Sequence, residues 1–189
     1  MPHPESFSDD DLIVLLNDLI QLDHDAIEGY TIAINTIRNH GHREALAAFR
    51  HDHARHVEAL GALVRAHGGV PARVSHIGGP LGGAVQALGS ASASDASVLL
   101  AFRAIERQAR DRYFGSASEA YPDDVRPVLR RHASDEENHY RWFVSRLEDL
   151  GLERELSDVP LDRSSVSTRS REHPPAQYLP DSDAQEPMA

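Results

Sequence analysis

Apolar residues recur at helical spacing in four stretches of the chain. Leu12, Leu16, Leu19, Ile20, Ile27, Tyr30, Ile34 and Ile37 share one stripe, which predicts a helix over 9–39 opened by Ser8 with Asp11 three positions later. Leu46, Phe49, Val57, Leu60, Leu63 and Val64 predict a second over 42–67, stopped by Gly68-Gly69 with Pro71 beyond. Asn39-His40-Gly41 is read as the end of the first helix, and a connection this short makes the pair an antiparallel hairpin. Leu99, Phe102, Ala109, Tyr113, Ala117 and Ala120 predict a third helix over 95–121, capped by Ser94 or Asp95. Val125, Leu129, Phe143, Leu147 and Leu150 predict a fourth over 124–150, with Pro127 tolerable in its first turn. Between the hairpins, residues 68–94 are rich in glycine, alanine and serine and leave room for one short helical piece around Leu81 to Leu88. After Leu156 the rhythm stops among prolines, serines and charges, so 157–189 is expected to be a disordered tail. The pattern predicts an all-α four-helix bundle over 8–156, two antiparallel hairpins joined by a long crossover.

Ionisable residues interrupt these stripes where core residues are expected. Asp23 lies on the first, His53 and His56 on the second, Glu106 on the third, and His132, Glu136 and His139 on the fourth. Burying a carboxylate without a partner costs several kcal/mol, and the remedies are neutralisation, a charged partner or a metal ion. The intrusions also repeat. Shifting the second hairpin on the first by 83 positions aligns Leu16 with Leu99, Asp23 with Glu106, Tyr30 with Tyr113, Asp52 with Asp135, His53 with Glu136, His56 with His139 and Gly68 with Gly151. Each hairpin thus supplies an acid and then a tyrosine on its first helix, and an acid or histidine followed three residues on by histidine on its second. Packed about a pseudo-twofold axis, two such hairpins bring six polar side chains together. The same register selects Asp23 over Glu28, which falls well outside the apolar arc and remains the fallback ligand.

A net charge of −11 argues against nucleic acid or an anionic membrane surface as a partner and favours cations. With no cysteine in the chain, any metal must be held by imidazole and carboxylate. No apolar run approaches the roughly 20 residues of a membrane span, and the N-terminus lacks a basic segment followed by an apolar one. A soluble cytoplasmic protein is expected. Of the twelve histidines, His42, His67 and His132 taken singly are read as structural, and His40 and His51 as solvated surface.

Acid, then Glu-x-x-His, repeated over two hairpins, resembles the ferritin-like di-iron and di-manganese carboxylate superfamily of ferritins, bacterioferritins, rubrerythrins and manganese catalases. Leu16-Asn17-Asp18-Leu19-Ile20 with Asp25 and Tyr30 further resembles the start of a widespread, little-characterised bacterial family of ferritin-like four-helix proteins. The resemblance implies a site for two iron or manganese ions. Glu106, Glu136 and His139 match a complete half-site, and His56 matches the second histidine. Asp23 and Tyr30 match the first-helix ligand and its nearby tyrosine, so Tyr30 and Tyr113 stand as candidates for positions behind the ligands. Two positions depart from the pattern: Asp23 is a methylene shorter than glutamate, and His53 replaces the second bridging carboxylate.

The expectation is a non-haem di-metal protein that reacts with dioxygen or peroxide, as a ferroxidase or in peroxide detoxification. Pairing into a homodimer is the common habit of such bundles. In this reading Glu136 bridges, Asp23 and His56 complete one ion, Glu106 and His139 complete the other, and His53 is an extra ligand or a donor behind them. The alternative is a stress-associated helical bundle with one metal or none that acts through protein contacts. There the buried carboxylates pair with the imidazoles and with Arg103 or Arg110 at the stripe edges.

Overall fold

The computed structural model describes residues 8–73, 94–116 and 121–152, and these hold four helices and no strand. They are α1 (Asp9–Thr36), α2 (His40–Ala66), α3 (Asp95–Ser116) and α4 (Arg126–Asp149). The expected helical piece around Leu81 to Leu88 and the tail from 157 onward lie outside the described residues.

Pairing of the helices fixes the topology. α1 packs along α2 and α3 along α4, while α1 also meets α3 and α2 also meets α4. In a simple up-down-up-down bundle α1 and α3 would sit diagonally across, so their adjacency requires the long crossover between the hairpins.

The helix ends follow local chemistry. The Ser8 hydroxyl accepts from the Asp11 amide, and Asp9, Asp10 and Asp11 place negative charge at the positive end of α1. α1 stops at Thr36, three residues before its expected end, because Asn39 is the cap of α2 rather than the terminator of α1: its side-chain oxygen accepts from the His42 amide. Ser94 caps α3 through the Ser97 amide. That leaves the Asp95 carboxylate to accept from the amides of Arg38 and Asn39, tying the start of α3 to the α1–α2 turn. The two hairpins end alike. Gly68 and Gly151 take φ of +83° and +70°, and each helix closes with paired bonds, Gly68 N to Arg65 O with Gly69 N to Val64 O, and Gly151 N to Glu148 O with Leu152 N to Leu147 O.

The core divides into two apolar clusters with a polar layer between them. One gathers Tyr30, Ala33, Ile37, Leu46, Leu99, Phe102, Phe143 and Leu147, and the other Leu12, Leu16, Leu19, Leu60, Val64, Tyr113, Val125 and Leu129. Asp23, His53, His56, Glu106, Glu136 and His139 lie between these sets on every helix, each at most 1% exposed. The apolar layers above and below hold the polar one out of water.

Candidate metal centre

Each hairpin contributes three side chains to the layer, from α1 and α2 on one side and α3 and α4 on the other. They form two overlapping groups, Asp23, His53, His56 and Glu136, and His53, Glu106, Glu136 and His139, each with one donor atom per residue within 4.8 Å of the others. All six residues expected from the sequence therefore converge. Glu28, the fallback, is exposed on α1.

Most of the facing atoms are close without being bonded. His56 Nδ1 lies 3.5 Å from Asp23 Oδ1 and 3.3 Å from Glu136 Oε1. His139 Nδ1 lies 3.4 Å from Glu106 Oε2 and 3.9 Å from Glu136 Oε2. His53 Nδ1 is hydrogen-bonded to Asp23 Oδ1 at 2.8 Å, and its Nε2 is 3.6 Å from Glu106 Oε1. His53 Nε2, His56 Nδ1, Glu106 Oε2, both oxygens of Glu136 and His139 Nδ1 have no hydrogen-bond partner although all are buried. Buried polar atoms are normally satisfied. Six unsatisfied ones facing a common centre, from three imidazoles and two carboxylates with the Asp23 carboxylate beside them, make a donor set suited to a divalent metal ion.

Behind this layer a second set holds the first in place, and it obeys the same 83-residue symmetry. Tyr30 donates to Glu106 Oε1 at 2.5 Å, and Tyr113 donates to Asp23 Oδ2 at 2.6 Å. His56 Nε2 is 3.2 Å from Asp135 Oδ2, and His139 Nε2 is 3.1 Å from Asp52 Oδ2. Each Nδ1 faces inward, and in the neutral ring donation of Nε2–H to the outer carboxylate would leave the Nδ1 lone pair for a metal. Arg55 bonds Asp52 and lies 3.6 Å from Asp135, joining the two outer carboxylates. The sequence reading passed over Asp52 and Asp135 as chemistry. Their signal was present as an acid in both hairpins at one register position, four residues before a histidine, but each serves the histidine of the other hairpin.

Electrostatics in the layer couples the two residue types. Burial alone would raise the Asp23 carboxyl, but the His53 hydrogen bond and the nearby His53 and His56 imidazoles outweigh it and hold the group near 2. Glu106 is lowered in the same way, against burial, by His139 and His53. Glu136 goes up, because burial and the nearby Glu106 charge exceed the pull of the histidines. Burial would lower the imidazoles, but the carboxylates win: His56 rises to about 9, and His53 and His139 rise as well. Burial and the neighbouring carboxylates push both tyrosines up, so they remain protonated donors. Arg103 and Arg110, expected to pair with the carboxylates in the metal-free alternative, stay outside: Arg110 pairs with Asp111 and Glu137, and Arg103 has no ion pair among the described residues.

The layer has one marked asymmetry. The register partner of His132 is Phe49. Phe49 stacks near His139, ring centroids 4.3 Å apart, and His132 stacks on His56 at 3.9 Å. His132 is 3% exposed with Nδ1 unbonded, and burial together with the His56 charge pushes it down to about 3, so at neutral pH it is a neutral ring.

A family model described as "Domain of unknown function (DUF2383)" matches residues 11–119, more than half of the chain. The chain belongs to this family. The DUF2383 match takes in α1, α2 and α3, and with them Asp23, His53, His56 and Glu106. No curated protein matches the chain. Among solved structures, the DUF2383 protein is similar to the bacterioferritin-related protein from Bacteroides fragilis, described as a dodecameric thioferritin, at 15% identity with a TM-score of 0.65. The alignment covers 82% of this chain and 94% of the other. At that identity the likeness shows the fold, a ferritin-like bundle. No described helix of this DUF2383 protein is long and apolar enough to cross a membrane.

Proposed function

We propose that this protein is a ferritin-like di-metal protein, holding two iron or manganese ions and reacting with dioxygen or hydrogen peroxide as a ferroxidase or in peroxide detoxification. One observation carries the reading: six buried nitrogen and oxygen atoms, two from the first hairpin and four from the second, face one another without hydrogen-bond partners. A bound ion would satisfy these atoms together, and each buried polar group left unsatisfied costs about 1–3 kcal/mol.

Asp23 and His56 would serve one ion and Glu106 and His139 the other, with Glu136 and His53, common to both groups, available to either. Bound there, the ions supply redox and Lewis-acid chemistry toward an oxygen species. The chain's own part is to hold and shield. Tyr30 and Tyr113 fix the carboxylate planes, and Asp135 and Asp52 keep the Nδ1 atoms of His56 and His139 unprotonated once the site is loaded. The apolar clusters exclude bulk water, which strengthens every charge interaction inside. Loading displaces protons, because His53, His56 and His139 are held protonated by the carboxylates and must become neutral to ligate. Self-association belongs to the same reading: Val14 on α1 and Phe114 on α3 are exposed apolar side chains, and the Bacteroides fragilis neighbour is described as dodecameric.

The test is stopped-flow oxidation of Fe(II)-loaded protein, prepared without a histidine tag, mixed with dioxygen or with hydrogen peroxide. Oxidation faster than that of free Fe(II), lost in Glu136→Ala, supports the proposal. Oxidation at the free-ion rate with both oxidants refutes the redox reading.

A further inference from the structure

The two ends of the polar layer are built from equivalent positions but closed differently. Beside His139, Phe49 and Trp142 stack edge to face at 5.4 Å and pack against an apolar cluster. Shifted by 83 residues, Trp142 becomes Ala59, Phe49 becomes His132, and Ala48 becomes Arg131. Two large apolar rings are thus exchanged for a methyl group and an imidazole, with a cation added at the rim. A cleft of about 440 Å³ lies there, lined by Arg55, Ala59, Pro127, Val128, Arg131 and His132.

We propose that this cleft is a binding port for a small monovalent anion, with His132 as its floor and the His56 side of the polar layer directly behind. Its lining includes two arginines and no carboxylate, in a protein of net charge −11. Arg55 is partly neutralised by Asp52 and Asp135, whereas Arg131 is exposed and has no ion-pair partner among the described residues. Another cleft, between α1 and α2, is mixed in sign, with Glu58 beside His24, Arg65 and Arg73. His132 is buried, lines the cleft and carries an Nδ1 with no hydrogen-bond partner, whereas Phe49 at the equivalent position has no polar atom. Its ring stacks on His56, whose Nδ1 faces Asp23 and Glu136. An anion held over His132 is therefore one ring away from the centre, and the arginines favour an anionic oxidant or ligand over a metal cation by this route. The anion site stands on the cleft alone, while its role as a port rests on the di-metal reading.

Sodium azide is the probe, at constant ionic strength. In the metal-free protein, azide should shift the His132 ring resonances saturably. Arg131→Glu, at an exposed position, should weaken that binding about tenfold through reversal of one nearby charge. Ala59→Trp, which copies the plug of the other side, should abolish it. In Co(II)-loaded protein the visible band should change on azide addition, and Ala59→Trp should slow the change about tenfold or more by blocking the way in. Absence of saturable His132 shifts in the parent protein overturns the anion site. Equal rates in parent and Ala59→Trp cobalt proteins overturn the port. If no cobalt binds while the His132 shifts persist in the parent, weaken in Arg131→Glu and vanish in Ala59→Trp, the di-metal reading and the port fall together and the anion site stands.

Discussion

Replacing His53 by glutamate probes the position where the two hairpins differ most, His53 against Glu136. His53 touches both groups of donors, bonded to Asp23 at 2.8 Å and lying 3.5 Å from Glu136. In the metal-free protein it is a buried cation among three carboxylates, raised well above its ordinary value once the carboxylates overcome burial. His53→Glu removes that cation and adds a fourth acid, so the apo form should lose about 3–5 kcal/mol, the cost of breaking a buried pair. In a domain of this size that lowers the apo Tm by roughly 10 °C. The loaded form should respond in the opposite direction. Two divalent ions bring four positive charges against three carboxylates, and a fourth carboxylate would balance them. With donors within 4.8 Å of one another and an effective dielectric constant of about 20, each added unit of opposite charge is worth about 3 kcal/mol before desolvation. Binding of the second ion should tighten about tenfold or more, and the ferric form should be stabilised. His53→Ala should weaken binding and leave the half-site at Glu106, Glu136 and His139. Thermal melts of apo and loaded proteins, with anaerobic Fe(II) titrations followed by exposure to air, measure both effects. Unchanged apo Tm together with parental affinity and stoichiometry in His53→Glu would refute the placement of His53 between the ions.

Other consequences follow from the same layer. Asp23→Ala should lose metal and Glu28→Ala should not, since Asp23 is buried in the layer and Glu28 is exposed; the reverse result in metal titrations would displace α1 from the site. Asp135→Asn and Asp52→Asn should each weaken metal binding about 10–100-fold while sparing the fold, because each removes the carboxylate that orients one histidine. The pH dependence has opposite signs in the two states. His56 is raised in the folded protein to about 9 from 6.5, so its contribution to apo stability is complete below pH 6.5 and is lost as pH rises through about 9, a change of about 3 kcal/mol visible in apo melts. Metal affinity should rise across the same window as those protons leave, with proton release detected by titration calorimetry in buffers of different ionisation enthalpy.

Much of this was legible in the sequence because a buried polar layer on helices leaves a periodic trace. Asp23, His53, His56, Glu106, Glu136 and His139 sat on apolar stripes, and two hairpins in one register repeated the anomaly, so wheel and repeat agreed. Partners that cross between hairpins were not legible. Asp52 and Asp135 flank the stripe on partly buried positions, where an acid reads as surface, and pairing each with the other hairpin's histidine needs the folded bundle. His132 was read as structural, and only packing shows that it stacks on His56. Asn39 was read as a stop for α1 although it starts α2, because residues that end one helix and cap the next are alike when the turn is this short.

Anomalous X-ray diffraction from crystals of untagged protein soaked anaerobically with Fe(II) or Mn(II) addresses the central claim most directly. The account predicts two anomalous peaks per chain, one in reach of Asp23 and His56 and one in reach of Glu106 and His139, with Glu136 between them. Density showing the six side chains bonded to one another or to water, with no anomalous peak at saturating metal, would contradict it.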